Sequence, residues 1–146
     1  ELSHEIDLAL WLFGKFEITY SFIRNSRILD IDVDDQAFLI GLNSEKTIFR
    51  LQLNFSSLFE KREVNIRGSK GEINWDLKEG IVSHKLKLGE QEKKIVPPNK
   101  DYIFEKQLSK FFNSGTNNNY FLCNVEEAIE VLKIIEKSLN INKYHN

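Results

Sequence analysis

Residues 36–55 decide the fold, and they read QAFLIGLNSEKTIFRLQLNF. In the second half of this stretch, Phe49, Leu51 and Leu53 alternate with polar residues. This is the period of a strand with one buried face. The polar run at 43–46 separates that strand from the apolar run before it. Two strand patterns joined by a short polar turn predict a β-hairpin.

Further strand patterns flank this hairpin on both sides. Phe16, Ile18, Tyr20 and Phe22 alternate with polar residues before it, and we expect these four side chains to share the buried face of one strand. The predicted strands are residues 16–22, 36–42, 49–55, 64–66, 73–77 and 82–88, with 93–96 as a candidate short edge strand. Together they predict a largely antiparallel open sheet of about six strands.

Helical spacing of apolar residues precedes and follows these strands. Residues 1–13 are apolar nearly all round, which predicts a buried helix, and Gly14 follows where a left-handed C-terminal cap is favoured. A second helix is predicted to carry the apolar stripe Phe104, Leu108, Phe111 and Phe112. Asn124 and Glu127 have the capping-box spacing of a third helix. Its inward face is predicted to carry Val125, Ala128, Val131, Leu132, Ile135 and Leu139. We therefore expect one α+β domain over residues 1–146, with helices covering one sheet face.

The other face of this sheet is left open in the predicted arrangement. It would carry the polar side chains of Arg50, Gln52 and Asn54 together with apolar Ile23 and Phe38 or Ile40. A mixed open face is typical of surfaces through which subunits pair. We therefore expect a homo-oligomer that forms through this face.

Composition narrows the classes of function. The net charge is −2, so no global field attracts nucleic acid or an anionic membrane, and we expect neither partner. Cys123 is the single cysteine. A single cysteine excludes an internal disulfide and indicates a reducing compartment, which we take to be the cytoplasm. We expect Cys123 to be a small buried residue. The chain contains no methionine, even at position 1, which indicates a fragment or a trimmed product.

Four stretches of the chain stand out together. They are residues 1–7 (ELSHEID) with 10–14 (LWLFG), 34–37 (DDQA), 66–76 (IRGSKGEINWD), and 123–128 (CNVEEA) with 131–132 (VL). In order and spacing they resemble the C-terminal domain of the Gfo/Idh/MocA oxidoreductases, over nearly the whole chain. The resemblance implies the dihydrodipicolinate-reductase-like fold of that domain. It also implies a parent enzyme that is NAD(P)-dependent and acts on a sugar, cyclitol or nucleotide sugar.

The same resemblance sets an expectation about the cofactor. Members of the family bind NAD or NADP in an N-terminal Rossmann domain, and this chain has no counterpart to it. Its seven glycines do not give the spacing that cradles a dinucleotide phosphate. We therefore expect the chain alone to bind no cofactor and to be inactive without its cofactor domain.

His4 is the candidate catalytic residue, because the family's active-site histidine falls at this position. Removing a hydride from a carbinol carbon needs a base for the hydroxyl proton, and imidazole suits neutral pH. From the residues alone, a histidine that caps or packs at the helix start remains an alternative. Glu1 and Asp7 are candidate substrate contacts, and Asp7 could instead orient the imidazole or lie on the wet side of the helix.

No metal site is predicted from the sequence. The aspartates between 30 and 35 alternate within a strand connection and have no histidine nearby, so we interpret them as solvated loop charge.

A second functional hypothesis also stays open. The chain would then be a stand-alone interaction or dimerisation module without catalytic activity, using the open sheet face.

Overall fold

A computed structural model describes residues 2–86, 89–94, 100–113 and 123–143 of the chain. In chain order, its elements are α1 (Leu2–Phe13), β1 (Phe16–Arg24), β2 (Gln36–Asn43), β3 (Ile48–Asn54), β4 (Glu63–Gly68), β5 (Gly71–Asp76), β6 (Ile81–Leu86), β7 (Gly89–Lys94), α2 (Lys100–Asn113) and α3 (Val125–Lys143). All paired strands are antiparallel. The predicted α+β class is confirmed.

The strands form two sheets, one of three strands in the order β1-β2-β3 and one of four in the order β4-β5-β6-β7. The sequence predicted one sheet, but residues 55–62 join β3 to β4 without the tight turn that would pair them. The chain accordingly divides into two compact units. Unit 1 comprises Glu1–Ser57 and Cys123–Asn146, and unit 2 comprises Leu58–Leu122.

Unit 1 has its core between one face of the three-stranded sheet and the helices α1 and α3. The rings of Phe16 and Phe49 stack there with their centroids 4.7 Å apart. Gly41 pairs with Phe49 in the sheet register, and a Cβ atom at Gly41 would come within 2.7 Å of the Glu17 carbonyl oxygen and 3.2 Å of the Phe16 ring. The buried apolar residues are Ile6, Ala9, Phe16, Ile18, Ile23, Leu39, Phe49 and Val131.

A β-bulge at Thr19 changes which side chains of β1 face this core. Ile18 pairs with Gly41 and Tyr20 pairs with Ile40, so Thr19 has no partner in the register. The side-chain alternation therefore shifts by one residue. The prediction that Tyr20 and Phe22 share the buried face with Phe16 and Ile18 is wrong. Ser21 and Ile23 are buried on the helix side instead, and they alternate with exposed Tyr20 and Phe22 along the strand.

The helix ends follow the local signals in the sequence. Gly14 has a φ of 72° and its N–H donates to the Leu10 carbonyl oxygen at 2.8 Å, which is the predicted left-handed cap. At the start of α3, the Asn124 N–H donates to Glu127 Oε2 and the Glu127 N–H donates to Asn124 Oδ1, each at 2.8 Å. The predicted capping box is confirmed.

The helix faces were predicted less well than the helix ends. α1 buries only Ile6 and Ala9, and Trp11 is 63% exposed, so the prediction of a helix buried on all sides is wrong. In α3, Val131 is buried and Ile135 is half-buried as predicted, but the other predicted inward positions, Val125, Ala128, Leu132 and Leu139, are exposed. The face that α3 turns to the sheet includes polar Ser138 and Asn142, which apolar periodicity does not reveal.

Unit 2 contains the four-stranded sheet and α2. Ile66, Ile73 and His84 lie in one cross-strand row, so His84 shares a sheet face with two apolar side chains. The apolar stripe predicted for α2 is exposed along its length, at Phe104, Leu108, Phe111 and Phe112. Among the helices that the structure describes, none is long and apolar enough to cross a bilayer.

Candidate functional site

His4 lies in the first turn of α1 with its side chain exposed. Among the described residues, no hydrogen bond or ion pair engages its imidazole. The helix continues from it with Leu8 and Trp11 at spacings of four and three residues, which places the three side chains along one helix face. An imidazole in this position is open to a molecule approaching that face of α1.

Asp7 lies one turn further along α1 and is half-buried. The charge of its carboxylate acts on the Cys123 thiol just before α3, and that thiol donates its hydrogen bond to the Asn124 carbonyl oxygen at 3.5 Å. No hydrogen bond between Asp7 and His4 occurs in the described residues. Glu1, the other candidate substrate contact, lies outside the part of the chain that the structure describes.

Cys123 is exposed, which contradicts the prediction of a buried cysteine. It directly precedes the cap of α3, where the start of a helix lies at the surface. Desolvation of the thiol, followed by the negative charges of Asp7 and Glu127, raises its pKa. A raised pKa keeps the sulfur protonated at neutral pH, so the geometry supports no nucleophilic role for this residue.

Asp35 is buried, with 2% of its surface exposed, which contradicts the prediction that the aspartates of the β1–β2 connection are all solvated. The Ser26 N–H donates to Asp35 Oδ1 at 2.7 Å, and the Ser26 hydroxyl donates to Asp35 Oδ2. These hydrogen bonds lower the pKa of the Asp35 carboxyl, because they stabilise its charged form. Its two oxygens are thus used to close the connection between β1 and β2.

The remaining aspartates of this connection, Asp30, Asp32 and Asp34, are exposed. Within the described ranges, no group of three or more histidine, cysteine, aspartate or glutamate side chains is arranged to hold a metal ion.

The face of the three-stranded sheet opposite α1 and α3 carries two mixed cross-strand rows. One row is Tyr20, Ile40 and Arg50, and the next is Phe22, Phe38 and Gln52. Arg24 lies at the end of β1, with its guanidinium 5.7 Å from the Phe22 ring centre and its Nε donating to Gln36 Oε1 at 2.8 Å. The predicted composition of this open face is right for Arg50, Gln52, Phe38 and Ile40. It is wrong for Ile23, which the bulge at Thr19 turns into the core.

A comparison with protein-family models identifies the family. The model that describes the C-terminal alpha/beta domain of the Gfo/Idh/MocA oxidoreductase family matches residues 1–140. The chain belongs to this family. No curated protein matches the sequence.

Solved structures share the fold of this Gfo/Idh/MocA C-terminal domain at low sequence identity. UDP-N-acetylglucosamine 3-dehydrogenase from Acidithiobacillus ferrooxidans has a TM-score of 0.76 and 13% identity, over 99% of this chain and 46% of that chain. An oxidoreductase from Agrobacterium radiobacter, in complex with NAD+, L-tartaric acid and magnesium, has a TM-score of 0.74 and 11% identity, over 99% of this chain and 46% of that chain.

A 3-ketoreductase from Actinomadura kijaniata, in complex with TDP-benzene and NADP, has a TM-score of 0.71 and 12% identity. The match covers 93% of this chain and 44% of that chain. This Gfo/Idh/MocA C-terminal domain therefore spans less than half the length of these enzymes.

Sequence reasoning missed two exposed residues of unit 1, Trp11 on α1 and Arg24 at the end of β1. The spacing of seven residues between His4 and Trp11 places both on the same helix face. Arg24 was not singled out, and its position over an aromatic ring depends on the bulge in β1. The position of Trp11 on the same face as His4 therefore follows from their spacing in the sequence, whereas the position of Arg24 depends on the tertiary structure.

Proposed function

We propose that this Gfo/Idh/MocA C-terminal domain is the substrate-binding and oligomerisation part of an NAD(P)-dependent oxidoreductase. The proposed substrate is a sugar, cyclitol or nucleotide sugar, and both units belong to the one C-terminal domain. The observation that carries the proposal is the exposed imidazole of His4 in a chain whose family match runs over residues 1–140. We place the protein in the cytoplasm.

The names of the structural neighbours support the class of chemistry. A 3-dehydrogenase of a nucleotide sugar, a 3-ketoreductase in complex with NADP, and an oxidoreductase in complex with NAD+ and a hydroxy acid share this fold. Each name or ligand is consistent with interconversion of a hydroxyl and a carbonyl group. NAD or NADP would be held by a cofactor domain, and this chain alone is proposed to be inactive.

His4 would act as the base of this reaction. In the oxidising direction, the C–H bond of a carbinol breaks and its electron pair leaves as hydride, while the O–H proton passes to the imidazole and a carbonyl forms. When bound, the nicotinamide supplies the hydride acceptor. In the reducing direction, the protonated imidazole returns the proton to the oxygen. Glu1 and Asp7 are proposed to contact the substrate beside His4.

The test is turnover in the complete oxidoreductase that contains this chain. We expect His4→Asn to lower kcat by about 100-fold or more, the usual range for loss of a general base. The affinity for NAD or NADP should stay near that of the wild type. His84→Asn, in unit 2, is the matched control and should keep its turnover. Unchanged turnover in His4→Asn would remove His4 from the mechanism.

The open face of the three-stranded sheet supports the oligomerisation part of the proposal. Tyr20 and Phe22 remain 37% and 38% exposed on it, beside Arg50. The same face favours the second candidate, a stand-alone interaction module without catalytic activity. Light scattering tests both readings of this face, and a strict monomer at high concentration with no protein partner would count against them. NAD(P)-dependent turnover of the complete protein would separate the oxidoreductase from the module.

A further inference from the structure

Trp11 presents a large aromatic side chain on the same face of α1 as His4. Its side chain is 63% exposed, and Leu8 is half-buried between the two. We call His4, Leu8 and Trp11 the histidine–tryptophan face. An indole this exposed contributes little to the core of unit 1, and tryptophan is enriched at surfaces that bind other molecules. The face therefore offers an aromatic platform in line with the candidate base.

The helix fixes how far this platform lies from the imidazole. Seven residues at a rise of 1.5 Å place Trp11 about 10 Å further along the axis than His4. Side chains of a helix lean in the same direction, so the side chains keep this separation. A single sugar ring whose hydroxyl group meets His4 covers the next turn, at Leu8, and ends short of the indole. Contact with Trp11 therefore needs a substrate that carries a second ring.

A second sugar ring suits the indole chemically. The face of an aromatic ring carries partial negative charge, and the C–H groups on one side of a pyranose ring are apolar with partial positive charge. Stacking covers these C–H groups and leaves the hydroxyl groups at the ring edge in water. The backbone under Trp11 is held by the buried residues Ile6 and Ala9 of the same helix, so little backbone freedom is lost on binding.

Charge on α1 distinguishes a neutral substrate from a phosphorylated one. The helix contains no lysine or arginine, and it carries the carboxylates Glu5 and Asp7. The negative charges of Asp7 and Glu127 both act on the Cys123 thiol, which shows that the two carboxylates lie near each other. Negative charge is therefore concentrated beside the middle of α1.

The first cation after this helix is already paired. Lys15 Nζ lies 3.5 Å from Glu130 Oε2, and the other oxygen of that carboxylate lies 2.9 Å from Lys133 Nζ. Phosphate groups placed between His4 and Trp11 would meet carboxylates on a helix that supplies no cationic side chain to replace their lost hydration. The charges along the histidine–tryptophan face thus favour a neutral ligand.

We propose that Trp11 is a specificity-determining residue that stacks on the second ring of a neutral glycoside, while the ring that is oxidised or reduced lies at His4. This inference rests on the proposed function and selects one substrate class within it, a sugar joined by a glycosidic bond to another sugar ring. A bare cyclitol ends short of Trp11, and a nucleotide sugar would place its diphosphate beside Asp7. The glycosidic bond stays intact, because the reaction changes only the carbinol carbon and its hydroxyl group.

Turnover in the complete oxidoreductase that contains this chain tests the substrate class. The probes are glucose, galactose and N-acetylglucosamine, each as the free sugar, as the terminal ring of a disaccharide (cellobiose, lactose and N,N′-diacetylchitobiose), and as its uridine-diphosphate ester. For the sugar that is turned over fastest, we expect kcat/KM of the disaccharide to exceed those of the free sugar and of the uridine-diphosphate ester by about tenfold or more. Preference for either of the other two forms would overturn the proposal.

Substitutions of Trp11 test the residue itself. We expect Trp11→Ala to raise KM for the disaccharide about tenfold and to leave kcat and the KM of the free sugar near their wild-type values, because the indole does not reach the reacting atoms. Trp11→Phe keeps a flat ring and should recover most of the affinity. Phe104→Ala removes an aromatic side chain of similar exposure, 61%, from α2. It is the matched control and should leave both constants unchanged.

The failures of this proposal and of the proposed function are distinguishable. An unchanged KM for the disaccharide in Trp11→Ala, or an equal rise for the disaccharide and the free sugar, would remove Trp11 from substrate recognition and leave His4 as the base. Circular dichroism equal to that of the wild type shows that the variant folds. No turnover of any probe by the wild type would remove the sugar-oxidoreductase function, and this inference with it.

Discussion

Asn142 of α3 forms two hydrogen bonds with the backbone of Ile23 in β1. The Ile23 N–H donates to Asn142 Oδ1 and Asn142 Nδ2 donates to the Ile23 carbonyl oxygen, each at 2.8 Å. β1 is an edge strand of its sheet, so the amide side chain takes the place that a further strand would occupy. Edge strands expose unpaired backbone groups that promote wrong pairing. The last turn of α3 therefore supplies hydrogen-bond partners for the backbone of Ile23 on this edge strand.

Removing this side chain should destabilise the fold. We expect Asn142→Ala to lower the free energy of unfolding by about 2 kcal/mol, since each of two hydrogen bonds contributes about 1 kcal/mol. Urea denaturation of the chain measures the difference. Asn140→Ala, on an exposed face of the same helix, is the control and should change stability much less. Equal stability of the two variants would show that the bonds to Ile23 contribute little.

Replacing Ser21 should have the opposite effect. Its hydroxyl is fully buried and, among the described residues, has no hydrogen-bond partner. An unsatisfied buried polar group costs roughly 1–3 kcal/mol, so we expect Ser21→Ala to raise the free energy of unfolding by about 1 kcal/mol. Thr19→Ala, which removes an exposed hydroxyl that donates to the Ile40 carbonyl oxygen at 3.2 Å, should give no gain. A loss of stability in Ser21→Ala would mean that this hydroxyl finds a partner in solution.

The close approach of β1 and β2 at Gly41 predicts a large steric effect. Because a Cβ atom there would lie 2.7 Å from a backbone oxygen of Glu17, the two strands would have to separate. We expect Gly41→Ala to cost about 1–3 kcal/mol, the range for overpacked cores. Thermal unfolding measures the change. Gly68→Ala is the control, since a Cβ there meets nothing nearer than 4.0 Å, and a similar loss in both variants would contradict the steric explanation.

Asp35 predicts a dependence of stability on pH. Hydrogen bonds from Ser26 lower the pKa of the Asp35 carboxyl in the folded chain below its ordinary value of 3.8. As the pH falls, the unfolded chain therefore takes up the proton before the folded chain does. The stabilisation by the charged carboxylate is fully present above the pKa of the unfolded chain and is lost as the pH falls through the pKa of the folded chain. The difference in unfolding free energy between wild type and Asp35→Asn should therefore be largest near neutral pH. It should shrink below about pH 4. A difference for Asp35→Asn that stays constant with pH would contradict this assignment.

The features predicted correctly from the sequence are those with local causes. The cap at Gly14 and the capping box of Asn124 and Glu127 depend on residues within one turn of the helix. The hairpin of β2 and β3 follows from alternation and a short turn. His4 was selected through the family motif, and its exposure in the structure agrees with access by a substrate without testing its role.

The features that were missed depend on contacts between distant parts of the chain. The burial of Asp35 follows from its bonds to Ser26 across the loop, and the polar inner face of α3 follows from the pairing of Asn142 with Ile23. Trp11 is exposed because α1 buries only one side against the sheet and α3. Hydrophobic periodicity reports an average preference and does not specify which side of a strongly apolar helix is covered.

The single unpaired residue at Thr19 determines which side chains of β1 belong to the interior and which to the surface. A regular strand of the same sequence would pair Thr19 with Ile40 and rotate the following residues by half a turn about the strand axis. Tyr20 and Phe22 would then point at the helices, and Ser21 and Ile23 would point away from them. Deleting Thr19 would instead join Ile18 directly to Tyr20 and keep their pairings with Gly41 and Ile40. The one extra residue therefore lets β1 place two of its aromatic side chains on the surface while Ile18 and Ile23, on either side of the bulge, both remain in the core.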